Sequence, residues 1–139
     1  MLKTTLRNIL AVIVGVVIGA SVNMGIIMVS GKIIPPPAGA DLTTMEGLQS
    51  SLHLFKPIHF LMPFLAHALG TFVGAFVASL LGVSKQLRLS LIVGVVFLAG
   101  GIQMIFELPS PMWFNLADAI LAYIPMAFLG YKLASVLKK

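Results

Sequence analysis

The sequence predicts an all-α integral membrane protein of four transmembrane helices. Three observations carry that expectation. Of 139 residues, 59% are hydrophobic and only 9% charged, with a mean hydropathy of +1.07. A soluble domain holds about a quarter charged residues, and a chain this short has too small an interior to hide such an apolar excess. Four stretches reach the roughly 20 apolar residues that cross a hydrocarbon core. None shows the residue-by-residue alternation of a barrel strand. Soluble enzymes, secreted scaffolds and disordered tails are excluded.

The first span runs from about Ile9 to Val29 without a charge. Lys3 and Arg7 precede it and Gly19-Ala20-Ser21 offers small residues, as in a secretory signal, but the apolar run is too long for one. A retained signal-anchor is the expectation. Residues 31–57 form a connection of different composition. Pro35-Pro36-Pro37 and Gly39 read as a stiff exit and a turn. Thr43-Thr44-Met45-Glu46 matches the capping box that opens helices. Met45, Leu48, Leu52 and Phe55 then share one face, so a short amphipathic helix is expected on the outer surface of the bundle; a plain surface spacer is the alternative.

Pro57 is placed to start the second span, about 58–81, which carries His59 and His67. A basic turn, Gly82 to Arg88, leads to the third span, about 89–108, with Gln103 and Glu107 near its end. Pro109-Ser110-Pro111 makes a tight turn, and Trp113 stands as an interfacial anchor. The fourth span, about 112–133, is interrupted by Asp118 and Pro125. Such short links make spans two to four antiparallel neighbours within one domain, 1–139.

Charge sets the expected orientation. Lys3, Arg7, Lys85, Arg88, Lys132, Lys138 and Lys139 fall on one side of a four-span chain, and Lys32 and Lys56 on the other. The positive-inside rule puts both termini in the cytoplasm. The net charge of +5 is therefore juxtamembrane, and it forms no aromatic-interleaved patch for nucleic acid. Without cysteine there is no disulfide and no thiolate metal site.

Two patterns suggest internal organisation. Ile13-Val14-Gly15-Val16-Val17 matches Ile92-Val93-Gly94-Val95-Val96, and Leu65-Ala66-His67-Ala68-Leu69 parallels Leu116-Ala117-Asp118-Ala119-Ile120. These read as two parallel hairpin repeats. Small residues recur every fourth position: Ala11, Gly15, Gly19 and Asn23 in span one, and Gly70, Gly74 and Ala78 in span two. Such stripes let backbones approach closely, either within the bundle or between the protomers of a homo-oligomer.

All four acids and all three histidines fall toward the outer side. At about 1.5 Å per residue, His67 lies roughly 14 Å deep, Asn23 roughly 10 Å, Asp118 roughly 9 Å and Gln103 roughly 7 Å, with Glu107 at the rim. Ionisable groups inside a membrane are costly and mark functional sites. His67 beside a carboxylate would exchange a proton in the physiological range. Pro63 and Pro125 can interrupt helices and open a cavity. The expected site is an outward-facing polar vestibule lined by His67, Asp118, Gln103 and Asn23, with Glu107 at its mouth. Each residue also has a structural reading: Asn23 and Gln103 as hydrogen-bonding glue, Asp118 as a local cap, His67 as a core histidine. His67, Glu107 and Asp118 are acceptable metal ligand types, but the Glu-x-x-His spacing of four-helix metal sites is missing, so no metal or cofactor is assigned.

Pro35-Pro36-Pro37-Ala38-Gly39, His67-Ala68-Leu69-Gly70-Thr71-Phe72-Val73-Gly74-Ala75 and Pro109-Ser110-Pro111-Met112-Trp113-Phe114 resemble a family of small four-span bacterial inner-membrane proteins. The resemblance covers nearly the whole chain and implies a fold and a location, not an activity. The leading expectation is a small transporter or channel-like protein taking a proton, a cation or a small solute. An intramembrane enzyme acting on a lipid-soluble substrate, or an accessory subunit, is the alternative.

Overall fold

The computed structural model describes all residues 1–139. Six α-helices follow in order: α1 Leu2–Ile33, α2 Met45–Ser51, α3 Leu61–Leu81, α4 Gln86–Glu107, α5 Met112–Leu121 and α6 Ile124–Leu137. Single 3₁₀ turns at Leu52–Leu54 and Pro57–Phe60 join α2 to α3. Four units are long and apolar enough to cross a membrane: α1, α3 with its preceding turn, α4, and α5 with α6 as one broken rod. There is no sheet. Both termini and the α3–α4 turn lie at one end of the bundle, called here the termini end; α2 and the Pro109–Pro111 turn lie at the other, the loop end.

Each boundary has a local cause. The α1 helix outruns its apolar stretch at both ends and stops at Ile34, where the following proline disfavours helical backbone. Thr44, one residue later than the capping-box reading, caps α2 by accepting from the Gly47 N–H at 2.9 Å. Thr43 instead donates both its N–H and its hydroxyl to Asp41. Pro63 sits in the first turn of α3, where a missing N–H breaks nothing, so α3 runs without the hinge expected there. Pro125 does interrupt the fourth span. Its ring removes a backbone donor, and the chain unwinds at Ala122 and Tyr123 before α6 begins.

The α3 helix is the centre of the bundle, with α1, α4 and α6 packed around it. Its buried side is almost all small: Ala66, Gly70, Thr71, Gly74, Ala75, Ala78 and Ser79. The closest contact is with α1. A Cβ built on Gly15 would stand 2.5 Å from the Gly74 carbonyl oxygen, and one on Gly19 2.6 Å from that of Gly70. The reverse holds too, since a Cβ on Gly74 would meet the Gly15 oxygen at 2.7 Å. The small-residue stripes of spans one and two are therefore spent on each other, inside one chain.

Both ends are tied by polar contacts. At the termini end, Asn8 donates to the Ser84 hydroxyl and accepts from the Val83 N–H. The Lys138 ammonium donates to the carbonyls of Ser79 and Gly82, closing the last turn of α3. At the loop end, Leu52, Phe60 and Phe114 form a small core with Leu48, Phe55, Phe64 and Leu108. The α2 segment thus docks on the bundle through its apolar side, and the Gln49 amide donates to the Glu107 carbonyl.

Two predictions follow from this packing. Gly74→Val should lower the unfolding temperature in detergent, with a stability loss at the upper end of an overpacking penalty, about 3 kcal/mol, because the atom it meets is backbone. Gly25→Ala, with nothing within 4 Å, should leave it unchanged or raise it. In the loop, the Thr43 donors hold the Asp41 carboxyl below its ordinary value. A lowered folded-state value means this tether is complete above about pH 4 and is lost as pH falls through it. Amide exchange at Thr43, corrected for its intrinsic pH dependence, should therefore speed up only below about pH 4.

Candidate functional site

Polar groups inside lipid must find partners in the protein, and the middle of the bundle shows where they are found. His67 projects from the second turn of α3, and Asp118 from α5. The His67 Nδ1 lies 2.8 Å from Asp118 Oδ1 and 3.0 Å from Oδ2. The Tyr123 hydroxyl donates to the same carboxylate, at 2.7 Å from Oδ2. Its ring stacks on the imidazole with centroids 5.8 Å apart. One turn on, the Thr71 hydroxyl donates to the His67 carbonyl.

The helix break makes this arrangement. In a continuous helix, residues five apart point roughly 140° away from each other. Unwinding at Ala122 and Tyr123 swings the tyrosine back over Asp118. The space it needs is provided by Gly101 on α4, where any Cβ would collide with the Tyr123 hydroxyl. Tyr123 went unremarked in the sequence. The signal available was a tyrosine two residues before a proline, deep in an apolar span that already carried an acid.

The two members of the pair have different access. The Asp118 side chain is 6% exposed and that of His67 24%. All ring hydrogen bonds run through Nδ1, so Nε2 is left as the free nitrogen of His67. His67 and Tyr123 form the floor of a cavity of about 300 Å³ whose walls are Val16, Ala20 and Asn23 of α1 and Val96, Phe97, Gly100, Gly101 and Met104 of α4. Asn23 Oδ1 is shielded from solvent and has no hydrogen-bond partner.

Not all the expected residues converge. Gln103 donates to the Glu107 carboxylate at 2.7 Å, four residues on along the same helix. That pair is solvent-accessible at the loop end of α4, and neither residue lines the cavity. The vestibule is also not a funnel from the loop end. Its wall residues Ala20 and Gly100 are exposed, and Val96 is 45% exposed, so the hollow opens along the flank of the bundle between α1 and α4. His59 is occupied elsewhere, its Nδ1 accepting from the Lys56 N–H. No three histidine and carboxylate side chains come together as a metal site.

Chemically, the pair sets an imidazole against a carboxylate. With a neutral ring it carries one net negative charge; a proton added at Nε2 removes that charge from a medium in which it is costly. Histidine and aspartate occupy the same place in the two Leu-Ala-x-Ala segments, and these are the residues that meet. No family model matches the sequence, and neither a curated protein nor a solved structure matches it. The chain is thus a small all-α protein with four membrane-spanning helices, and its chemistry is argued from this geometry.

Tyr123→Phe should leave the buried Asp118 Oδ2 with only the longer contact to His67 Nδ1 and cost about 1–3 kcal/mol. In an Asp118→Leu background the same change should be nearly silent, a coupling of at least about 1 kcal/mol in a double-mutant cycle of detergent unfolding.

Proposed function

We propose that the protein is a small transporter or channel-like protein of a bacterial inner membrane, with both termini cytoplasmic, in which His67 and Asp118 bind and release a proton as the coupling step. The observation that carries this reading is the unequal access of the pair. Asp118 is closed off and fixes the ring through Nδ1, while His67 lines a cavity and its other nitrogen has no partner in the protein. A group that only held helices together would have no reason to keep an open side. Orientation rests on the charge asymmetry of the bundle, whose termini end holds Lys3, Arg7, Lys85, Arg88, Lys132, Lys138 and Lys139.

The roles follow from the positions. His67 takes the proton at Nε2. Asp118 compensates the imidazolium and keeps the ring in one orientation, and Tyr123 holds the carboxylate in place. Asn23 contributes the remaining polar atom of the cavity. Glu107 and Gln103 stand at the loop end, outside the binding step.

Reconstituted into liposomes with an internal pH dye, the protein should pass protons down an imposed gradient. His67→Ala should lower that rate by at least about tenfold, a typical loss for a removed proton-transfer group. Glu107→Gln should leave it within about twofold. Equal rates for wild type and His67→Ala would remove the transport reading and leave the pair a structural one.

A further inference from the structure

We propose that the cavity between α1 and α4 binds a lipid-soluble molecule with a small, neutral, hydroxyl-bearing head, admitted from the bilayer through the open flank. The inference rests on reading the His67 pair as a functional site and names the class of ligand it serves.

Three features select that class. The first is the way in. The walls are Val16, Ala20, Val96, Phe97 and Met104, with Ala20 and Val96 exposed on the flank of the bundle. A water-borne solute would have to leave water and cross lipid to reach His67, whereas an amphiphile is already there.

The second is size and charge. A volume of about 300 Å³ is near the lower limit for small-molecule sites and holds roughly ten water volumes. A slim head and its first carbons fit; a glycerophospholipid head does not. No lysine or arginine lines the hollow, so an anionic head would meet the Asp118 carboxylate behind the imidazole with no counter-charge.

The third is the hydrogen-bonding pattern. With Nδ1 engaged by Asp118, Nε2 is an acceptor when the ring is neutral and a donor when it is protonated. Asn23 supplies a buried oxygen that has no partner, a state that is costly unless something fills it. A hydroxyl matches both states. It donates to Nε2 of the neutral ring; it accepts from the protonated ring and gives its own proton to Asn23 Oδ1, once the Asn23 amide turns its now-shielded oxygen toward the hollow that the residue lines. An ether or ketone can only accept, so it matches one state and leaves the asparagine oxygen unmet. Gly70 sets the level of this contact, because a Cβ there would stand 2.9 Å from that of Asn23. The apolar tail then runs along Ala20 and Val16 toward the bilayer centre.

The test uses the full chain in liposomes and three photoactivatable probes: a sixteen-carbon alcohol with a diazirine beside the hydroxyl, its methyl ether, and the matching carboxylic acid. The alcohol should label residues 16–23 and 96–104 about fivefold or more above the ether, the worth of one buried hydrogen bond, and above the acid. Asn23→Leu should reduce labelling by a similar factor. Gly100→Leu, where nothing lies within 4 Å of an added Cβ and folding is spared, should reduce it by filling the mouth. Equal labelling by alcohol and ether, stronger labelling by the acid, or a spread over lipid-facing positions such as Val17 and Val95 with every probe, would overturn the proposal. The proton-flux measurement separates the two readings. Hydroxyl-dependent labelling without flux keeps the ligand and removes transport; flux with unselective labelling does the reverse.

Discussion

In lipid there is no hydrophobic gain when one helix leaves the solvent for another, so the helices must be held by close packing and by polar contacts. Everything else in this bundle depends on how α3 meets that constraint. Its inward side is stripped to glycine, alanine, serine and threonine, and its neighbours come to backbone distance. The seam with α1 is the extreme case, glycine against glycine over two turns. Because α1 and α4 both pack on α3, and only lightly on each other, a space remains between them. The cavity is thus a consequence of the packing: two helices drawn tightly to a third leave a gap along the outer edge.

The fourth span shows the opposite solution. Where α3 is continuous and small-sided, α5 and α6 are separated by Ala122 and Tyr123, and the break is filled by the tyrosine ring. The same residue closes the floor of the cavity and donates to Asp118. Breaking a helix in the membrane frees backbone groups, which are tolerated only where the protein or water satisfies them. Here the Ala122 N–H donates to the Asp118 carbonyl as the last bond of α5, and the Ala127 N–H to the Tyr123 carbonyl as the first of α6, so the interruption is confined to Ala122 and Tyr123.

The four spanning units and their short turns were legible because length and hydropathy are properties of a segment alone. So was the presence of costly groups, since His67 and Asp118 stand out in apolar runs. Rotation about the helix axis was not legible. A helix that is apolar all round carries no phase, and so depth alone grouped Gln103 with Asp118, while the structure turns Gln103 toward Glu107. The capping motif was read one residue early because Thr43 has the glutamate three residues on that completes the pattern, whereas Thr44, which caps, has Gly47 there. Tyr123 was missed because its contact crosses a break, and spacing rules assume an unbroken helix. Pro63 and Pro125 look alike in sequence; Pro63 lies near the start of its spanning segment and is harmless, whereas Pro125 lies in the middle of its own and interrupts it.

Two polar contacts in the same bundle differ in how completely their groups are satisfied. Near the termini end, Ser79 and Ser90 lie 2.8 Å apart, both fully buried. Each also lies within hydrogen-bond distance of a carbonyl, Ser79 of that of Gln86 and Ser90 of that of Ala75, so the two hydroxyl protons are shared among three contacts. That contact is closed: it joins α3 to α4 with small neutral groups, and nothing remains to be bound. The His67–Asp118 contact uses ionisable groups where neutral ones would join the helices at lower cost. It leaves one ring nitrogen uncommitted, and it adjoins an asparagine oxygen without a partner. Helix association alone accounts for the serine pair and for none of these three features. An unmatched polar atom in lipid is costly, and a hydroxyl-bearing ligand of the kind proposed would offset that cost at His67 and Asn23 together.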